Sequence, residues 1–424
     1  MQIHYGGTDK IIDSNKKKDL LAEALQKVNC SKVLALPPDI TRLHSGAGEI
    51  TKMLYDMIGK DKTFHIMPAI GTHEAFTKEH LKIMYPNIPR DLFLVHDWRN
   101  DVVQLGVVPS DFIKEVSEGK LDYEIPVQVN KILLEGGYDL VISVGQVVPH
   151  ENTGFSNYSK NIFIGIGGEE TINKSHFLAG VYGMERIMGR IDTPVRKVFD
   201  HAEKFIKDIP IAYVMTVLGR EDGKLVTRGL FIGDDRETFE EAAKLSQKVN
   251  LTKLKEPLKK VVVYLDPVEY QSHWLGNKSI YRTRMAIADG GELIVIAPGL
   301  RIYGEDPEID RLIRKYGYHG TDEILQEVKD NQELRNNLVS AAHLIHGSSE
   351  GRFRIIYAPG HLTKEETEKA GYEYADVNVL MKQYDPLKLK DGYNDGFYYV
   401  SNPALGLWIA DESNHTRNQV NNSE

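Results

Sequence analysis

The sequence predicts an α/β protein with two α/β domains and mostly parallel sheets, and three observations support this class. Short β-branched and apolar runs alternate with amphipathic segments through the first 260 residues, an order typical of parallel sheets covered by helices. The chain has 424 residues, more than one hydrophobic core usually serves. Its composition, 41% hydrophobic and 27% charged, is ordinary for a globular protein.

The first domain is predicted to contain five strands, because each segment is a short apolar run bounded by turn-forming residues: 32–39, 63–73, 91–98, 139–150 and 161–168. Between them, 14–28 and 48–59 carry apolar residues three and four positions apart, which predicts helices lying on a sheet. Residues 210–233 are typical of an antiparallel hairpin that turns at Asp222-Gly223, and 237–250 of a helix that closes the domain.

A second series of elements opens with a strand at 259–267 and continues with strands at 291–299 and 353–360. Three helical stretches lie between about 307 and 346. We place the domain boundary near 255–258, with an N-terminal domain over 1–256 and a C-terminal domain over 258–395. The segment from about 396 to 424 is expected to pack back on the first domain, and the active site to lie in the cleft between the two domains.

Charge and composition exclude several classes of protein. The formal net charge of -9 is spread over short mixed-sign stretches without a basic stripe, so no nucleic-acid partner is expected. No targeting segment and no run of 18 apolar residues is present, which predicts a cytoplasmic protein without a membrane partner. The single cysteine, Cys30, has no second thiol to pair with. Any metal must therefore be held by nitrogen and oxygen ligands, or by a cofactor that brings its own sulfur.

Polar clusters follow the predicted strands and contain the candidate catalytic side chains Arg42, His73 and His150, with His176 further along. The carboxyl ends of strands in a doubly wound sheet converge on one crevice. Two imidazoles there suit general acid–base work near neutral pH, and an arginine matches a carboxylate. This set permits the inversion of a 2-hydroxy acid, with one base on each face of the carbon.

The order and spacing of these motifs resemble the nickel-pincer-nucleotide-dependent lactate racemases. The matching features run from about residue 30 to 300 and are PDITR (38–42), GTHEAFT (71–77), His150 followed by Lys160 ten residues on and His176 sixteen further, and the pair Tyr270-Gln271. The resemblance implies a racemase or epimerase of a 2-hydroxy acid. Its expected partners are that small molecule and the proteins that build the cofactor.

The resemblance also implies roles for individual residues. Lys160 would hold the nickel-pincer nucleotide covalently through a thioamide, and His176 would supply the one protein ligand to nickel. His73 and His150 would be alternating bases while hydride moves to the cofactor and back, through a 2-keto intermediate. The substrate would contact Arg42, Tyr270, Gln271 and Trp274, and Asp39 and Thr41 would help to seat the nucleotide.

Three departures from the family pattern fall near these residues. Asn157 and Tyr158 stand where a Gly-Gly pair usually precedes the lysine, Trp274 replaces a lysine of lactate-active members, and Glu74 takes a place where a basic residue is common. These changes predict a substrate larger than lactate. It is either an aromatic hydroxy acid stacked on Trp274 or a sugar acid bonded by Asn157, Tyr158 and His273.

Two alternative functions stay open. A zinc-dependent hydrolase or lyase would use His73, His150 and His176 as metal ligands. A non-catalytic hydroxy-acid binding protein would keep the pocket without turnover. The sequence assigns no role to His273, Lys278, His343 or His346; for the last two, packing and capping are favoured over metal binding.

Overall fold

A computed structural model of the chain describes residues 2–26 and 28–410. The chain divides into two compact units, and the division falls between Asn250 and Leu251. Residues 411–424, which belong to the segment predicted to pack on the first domain, lie outside the described residues. No helix within the described ranges combines the length and apolar character that a bilayer span requires.

The first unit contains ten strands: β1 Ile3–Gly6, β2 Lys32–Leu36, β3 Thr63–Ile66, β4 Val102–Val108, β5 Ile125–Asn130, β6 Leu140–Gln146, β7 Pro149–His150, β8 Gly154–Phe155, β9 Ile211–Glu221 and β10 Lys224–Gly233. Its α-helices are α1 Ser14–Leu25, α2 Ala47–Leu54, α3 Lys78–Met84, α4 Ser110–Val116, α5 Ile132–Glu135, α6 Glu169–Tyr182, α7 Pro194–Ala202 and α8 Arg236–Asn250. Short 3₁₀ turns lie at Ile40–Ser45, Arg90–Leu92, Met184–Arg186 and Glu203–Phe205, and π-helical turns at Tyr55–Gly59 and Asn161–Gly165.

The main sheet of the first unit has six strands in the order β1-β10-β9-β6-β2-β3. The strands β9, β6, β2 and β3 are parallel neighbours, whereas β10 and β1 continue the sheet antiparallel. Four residues of β2, Val33–Leu36, are wholly buried, and helices α1 and α2 pack in the same core cluster. Such full burial explains why β2 reads as a continuous apolar run.

The predicted hairpin is confirmed. Strands β9 and β10 pair antiparallel with Lys224 opposite Glu221. Asp222 and Gly223 between them have φ values of 48° and 77°, and positive φ at both central residues is what a type I′ turn requires. The predicted helix at 237–250 is likewise present as α8.

Two of the five strands predicted for the first domain were wrong. Residues 161–165 form a π-helical turn, and 166–168 lead into α6 with a single bridge from Gly167 to Val129. A short apolar run that is buried on every side fits a helical turn as well as a strand. In 91–98, Phe93 makes a single parallel bridge with Ile66. Val95 is 65% exposed, so that segment lacks a buried face to hold a strand against β3.

The second unit contains eight strands in its described part: β11 Leu251–Leu254, β12 Leu258–Tyr264, β13 Ile287–Ala297, β14 Arg354–Pro359, β15 Glu373–Tyr374, β16 Gly392–Asn394, β17 Phe397–Val400 and β18 Leu407–Ala410. Its α-helices are α9 His273–Gly276, α10 Lys278–Thr283, α11 Pro307–Tyr316, α12 Thr321–Asp330, α13 Gln332–Arg335, α14 Leu338–His346, α15 Lys364–Lys369 and α16 Val377–Gln383, with a 3₁₀ turn at Pro403–Leu405.

The sheet of the second unit runs β15-β14-β13-β12-β17-β16. All neighbours in it are parallel except β16 and β17. The core on one face gathers buried residues from β12, β13 and α16. With this second sheet the predicted class, an α/β protein with mostly parallel sheets, is confirmed.

Candidate active site

The centre of the candidate site in the first unit is Asp39, which follows β2 directly. Asp39 caps the 3₁₀ turn Ile40–Ser45. Its Oδ1 atom accepts hydrogen bonds from the backbone amide of Thr41 at 2.9 Å and from the hydroxyl of Thr41 at 2.6 Å. Because a polar side chain at an N-cap satisfies an otherwise unpaired amide, the local sequence fixes the direction of this carboxylate.

The second oxygen of Asp39 binds His73. Nδ1 of His73 donates to Oδ2 of Asp39 at 2.5 Å. His73 follows β3, which lies beside β2 in the sheet. An ionised carboxylate only accepts hydrogen bonds, so the proton of the neutral imidazole lies on Nδ1 and the lone pair on Nε2.

Asp39 stays ionised despite its burial. Burial raises the pKa of the Asp39 carboxyl, but the nearby His73 and the hydrogen bonds from His73 and Thr41 outweigh that effect and hold the pKa well below its usual range. Arg42 acts in the same direction as His73. The site therefore contains a fixed negative charge that orients one imidazole.

His150 lies in β7, beyond the carboxyl end of β6, and is buried. Its Nδ1 atom accepts a hydrogen bond of 3.2 Å from the backbone amide of Asn152. A backbone N–H can only donate, so neutral His150 carries its proton on Nε2, which lies 3.6 Å from Oε1 of Glu151. The two candidate bases thus have opposite tautomers.

Lys160 follows a loop with an unusual backbone. Asn157 and Tyr158 have φ values of 67° and 56°, a left-handed conformation that side chains other than glycine rarely adopt. These are the two positions where the family pattern has Gly-Gly. The backbone shape typical of glycine is thus kept, although both residues carry side chains.

The side chain of Tyr158 points into the core, so the predicted bond from Tyr158 to a sugar acid was wrong. Its ring stacks on Phe239 with centroids 5.2 Å apart and lies 4.5 Å from the ring of Tyr213. Its hydroxyl donates to Glu203 at 3.2 Å. The side chain of Tyr158 is therefore a core group and offers no polar group to a sugar acid.

Electrostatic interactions join Lys160 to the strand-end residues. Burial lowers the pKa of Lys160 to about 8, and the positive charge of Arg42 acts in the same direction, opposed by Glu151 and Asp39. Arg42, Asp39 and Glu151 therefore lie within electrostatic range of the lysine.

His176 lies on α6 and is oriented by a hydrogen bond within that helix. Its Nδ1 atom donates to the carbonyl of Ile172 at 2.8 Å, one turn earlier. The lone pair of the neutral ring is therefore on Nε2. A hydrogen bond from the other ring nitrogen is the usual way in which a metal-binding histidine is oriented.

The second unit holds the remaining predicted site residues near α9. Tyr270 is wholly buried, and its hydroxyl donates to Asn402 at 2.9 Å. Gln271 and Trp274 are partly exposed. The Trp274 ring lies against His343, with ring centroids 4.3 Å apart.

Histidine 273 belongs to the core of the second unit. It is wholly buried and stacks on Tyr303 with centroids 4.6 Å apart and planes 6° from parallel. Burial lowers the pKa of His273 to about 3, so it stays neutral. His343 bonds the hydroxyls of Tyr281 at 2.8 Å and Tyr318 at 3.0 Å. Two further residues singled out in the sequence lie in the same region: His346, whose ring lies 5.8 Å from that of Tyr281, and Lys278, whose Nζ lies 5.8 Å from the ring of Tyr270.

Comparison with known proteins fits this geometry. Residues 9–186 match the family model described as the lactate racemase N-terminal domain. The match covers the greater part of the first unit, and the chain is similar to lactate racemases there. It is 24% identical over 329 residues to the lactate racemase of Thermoanaerobacterium thermosaccharolyticum, covering 74% of this chain and 68% of that protein.

Two solved structures resemble this lactate racemase-like chain. A crystal structure of a Thermotoga maritima protein matches with a TM-score of 0.83 at 25% identity, covering 96% of this chain and 100% of the other. The lactate racemase apoprotein of T. thermosaccharolyticum matches with a TM-score of 0.67 at 16% identity, covering 96% and 94%. At that identity the second match shows the shared fold.

The residues of this lactate racemase-like chain fit a nickel-pincer nucleotide. Within 2–26 and 28–410, no group of three or more His, Cys, Asp or Glu side chains lies close enough together to hold a metal ion. A zinc site needs three protein ligands, so the described residues offer no set for the zinc alternative. A cofactor that brings its own carbon and sulfur ligands needs only one histidine. Near the end of β6, buried side-chain atoms of Gln146, Asn152 and Asn157 have no hydrogen-bond partner, and such atoms can bind a polar ligand.

Sequence reasoning missed two residues of this lactate racemase-like site. Glu151 follows His150 directly, and its proximity to Nε2 of that histidine could have been suspected from adjacency alone. Arg196 lies on the buried face of α7 beside Val195 and Phe199. An arginine among the apolar positions of an amphipathic helix is the signal that could have found it.

Proposed function

We propose that this chain is a racemase or epimerase of a 2-hydroxy acid, an isomerase that works with a covalently held nickel-pincer nucleotide. The observation that carries the proposal is a pair of strand-end histidines with different partners: Nδ1 of His73 bonds the ionised Asp39, and Nδ1 of His150 accepts a hydrogen bond from a backbone amide. A reaction that inverts a carbon needs one group that accepts a proton and one that donates it. Similarity to the lactate racemase N-terminal domain and to a lactate racemase supports the same reaction class.

His73 is the proton acceptor at the start of one turnover. Its lone pair is on Nε2, and the carboxylate of Asp39 stabilises the imidazolium that forms when the substrate hydroxyl is deprotonated. His150 would begin as the imidazolium and return a proton from Nε2 to the product oxygen on the other face, which leaves its ring neutral. The reverse reaction exchanges the two roles, as microscopic reversibility requires.

Arg42 binds the substrate carboxylate in this proposal. It follows Asp39 and Thr41 in the same 3₁₀ turn, and its planar guanidinium suits a carboxylate or a keto oxygen. Asp39 and Thr41 would also help to seat the nucleotide. The carboxylate of the substrate and the hydroxyl on the neighbouring carbon would then reach the histidines in a fixed orientation.

Lys160 and His176 would hold the cofactor. When bound, the nickel-pincer nucleotide supplies a reversible hydride acceptor, which no side chain of the chain could replace. A lysine with a pKa of about 8 has a substantial neutral fraction near neutral pH, and a neutral amine is the form that can make a covalent bond. Nε2 of His176 would be the one protein ligand to nickel.

The substrate is proposed to be larger than lactate, and an aromatic side chain is favoured over a sugar. The three residues that would bond a sugar acid are Asn157, Tyr158 and His273, and all three are buried. Trp274 is partly exposed and backed by His343, so it offers a flat apolar face. Gln271, also partly exposed, remains a proposed substrate neighbour, whereas Tyr270 is wholly buried with its hydroxyl bonded to Asn402 and would contribute only by supporting this region.

The test is to produce the chain together with the proteins that build the cofactor, which are its proposed partners. Intact mass and nickel content are measured on one sample of wild type, Lys160→Ala and the control Lys197→Ala, whose exposed lysine pairs with Asp192. We expect an added nucleotide mass and about one nickel per chain in wild type and control, and neither in Lys160→Ala. The loaded protein is then assayed by chiral chromatography on lactate, mandelate, phenyllactate and an aldonic acid.

An unmodified mass without nickel in wild type, despite a working cofactor supply, would contradict the proposal. Retained affinity for a hydroxy acid in Lys160→Ala, without turnover in wild type, would favour the binding-protein alternative, since a binder needs no tether.

A further inference from the structure

Arg196 joins helix α7 to the loop that leads into Lys160. Its guanidinium donates to the carbonyl of Phe155 at 2.8 Å and to the hydroxyl of Ser159 at 2.9 Å. It also reaches the carbonyl of Asn157 at 3.4 and 3.5 Å. One side chain thus binds the first, middle and last residues of the segment 155–159.

The guanidinium is completely buried. It lies 4.4 Å from the centroid of the Phe239 ring, on which Tyr158 stacks. Burial lowers the pKa of Arg196 to about 10, opposed by the negative charge of Asp200. A buried cation is costly unless hydrogen bonds and nearby charges compensate it, and the loop supplies most of the hydrogen bonds here.

The loop in turn needs outside support. Two consecutive residues other than glycine, Asn157 and Tyr158, hold left-handed backbone conformations. Each such residue costs of order 1 kcal/mol and persists only where its surroundings over-determine it. Both flanks of this strained pair are bonded to Arg196, and the ring of Tyr158 is locked between Phe239 and Tyr213.

We propose that Arg196 is a positioning residue for Lys160: by bonding Phe155, Asn157 and Ser159 it holds the lysine in the partly buried place from which it binds the cofactor. The identity of the ligand rests on the proposed function, whereas the placement of the lysine does not. The role depends on the fork of the guanidinium, because an ammonium group is a point charge that cannot bond both ends of the loop.

The experiment uses the full-length apoprotein and acetic anhydride as an amine probe. The rate of labelling at Lys160 is followed by peptide mass spectrometry from pH 6 to 11 in wild type, Arg196→Lys and Arg196→Met. Arg186→Lys is the matched control, because Arg186 is more exposed and bonds Glu118. Thermal unfolding is measured on every variant.

We expect the Lys160 titration to move upward in both Arg196 variants and to stay unchanged in the control. A pKa of about 8 leaves half of the amine neutral at pH 8. A rise of one pKa unit should therefore lower the labelling rate at that pH about fivefold. Arg196→Lys keeps the positive charge. A raised Lys160 pKa in that variant therefore results from the loss of the hydrogen bonds that hold the loop before Lys160.

A purely structural role would lower the unfolding temperature but leave the titration of Lys160 in the folded protein unchanged, and that result would overturn the proposal. Should both Arg196 variants fail to fold, Ser159→Ala removes only the 2.9 Å bond and must show the same upward shift. Loading with the cofactor is measured separately. Wild type that takes no nucleotide while its Lys160 titration depends on Arg196 contradicts the proposed function and supports this inference. Normal loading of wild type, with the Lys160 titration unchanged in the Arg196 variants, supports the proposed function and contradicts this inference.

Discussion

Nδ1 of His73 lies 2.5 Å from Oδ2 of Asp39, and the two residues follow the neighbouring parallel strands β3 and β2. This contact fixes the direction of the imidazole and the place of its proton. It also gives the developing imidazolium a fixed counter-charge, because the pKa of the Asp39 carboxyl is held below its usual range. Any function of His73 as a base therefore depends on Asp39.

Asp39→Asn should lower kcat/KM on the active hydroxy acid by about 10²–10⁴-fold, the usual contribution of a positioned acid or base. The amide of Asn can donate to Nδ1 and so favour the wrong tautomer of His73. Chiral assays of the loaded enzyme give the measurement. Thr41→Val, which removes a hydroxyl bonded to Asp39 but keeps the charge, should lose far less. Equal losses in the two variants would argue against the orienting role.

His176→Gln should separate metal binding from the covalent link. The nucleotide mass should remain on Lys160, while nickel per chain falls at least about tenfold, because glutamine lacks the imidazole nitrogen that nickel prefers. Nickel content and intact mass are read on the same sample. His201→Gln, a change on α7 in the same unit, is the control and should keep its nickel. Full nickel in His176→Gln would remove this residue from the set of ligands.

Trp274→Lys restores the residue type that lactate-active relatives carry at this place. We expect the ratio of kcat/KM for lactate over phenyllactate to rise by about 10–200-fold, the range that one pocket contact usually supplies. Trp274→Phe keeps an aromatic face and should change the ratio much less. An unchanged ratio in both variants would show that Trp274 does not select the substrate.

Glu203→Gln should stabilise the protein above neutral pH and not in acid. Burial raises the pKa of Glu203 to about 7 from 4.5. The raised pKa contributes stability that is present below pH 4.5 and lost as the pH rises through 7. A neutral glutamine avoids this loss, so the gain at pH 8 should be about 1–2 kcal/mol, reduced by partial exposure. Urea unfolding at pH 4 and pH 8 measures it. Glu237→Gln, at an exposed position of α8, is the control and should show no such difference. A gain of equal size at both pH values in Glu203→Gln would contradict the raised pKa of Glu203.

Tyr158→Gly restores a family glycine yet should destabilise the fold. The relief of a left-handed backbone is worth about 1 kcal/mol, whereas the loss of a large buried ring costs about 3–5 kcal/mol. Asn157→Gly makes the matching change without removing an aromatic ring and should stay within about 1 kcal/mol of wild type. Denaturant unfolding compares the two. A Tyr158→Gly protein as stable as wild type would show that its ring contributes little to the core.

The pattern of strands and helices predicts much of the first unit, but side-chain direction is set by tertiary packing. Residues after β2, β3 and β6 could be assigned to one edge of the sheet, and Asp39 and His73 meet there. The direction of a side chain in a loop could not be read in the same way. Tyr158 turns into the core because its left-handed backbone points the ring at Phe239.

The sequence also could not predict which side chains of the second unit are buried. His273 and Trp274 are neighbours in the chain, yet the first is wholly buried among tyrosines and the second is partly exposed. A short helix such as α9 turns consecutive side chains by about 100°, and the sequence alone does not show which face meets the core. The sequence did not identify Arg196 as a buried residue, because a lone arginine in a helix is most often exposed.

The pairing of Lys32 with Thr63 at the start of β2 and β3 sets how far each strand extends before its loop begins. A slip of one residue in this pairing would carry His73 about 3.3 Å along the sheet and turn the buried side chains of β3 to the opposite face. The hydrogen bond to Asp39 could not survive such a slip. The His73–Asp39 hydrogen bond therefore forms only when the two strands are correctly aligned. A chain that collapses with misaligned strands can be compact and still be inactive. Specific activity would then measure the correctly folded fraction, which the total protein concentration does not.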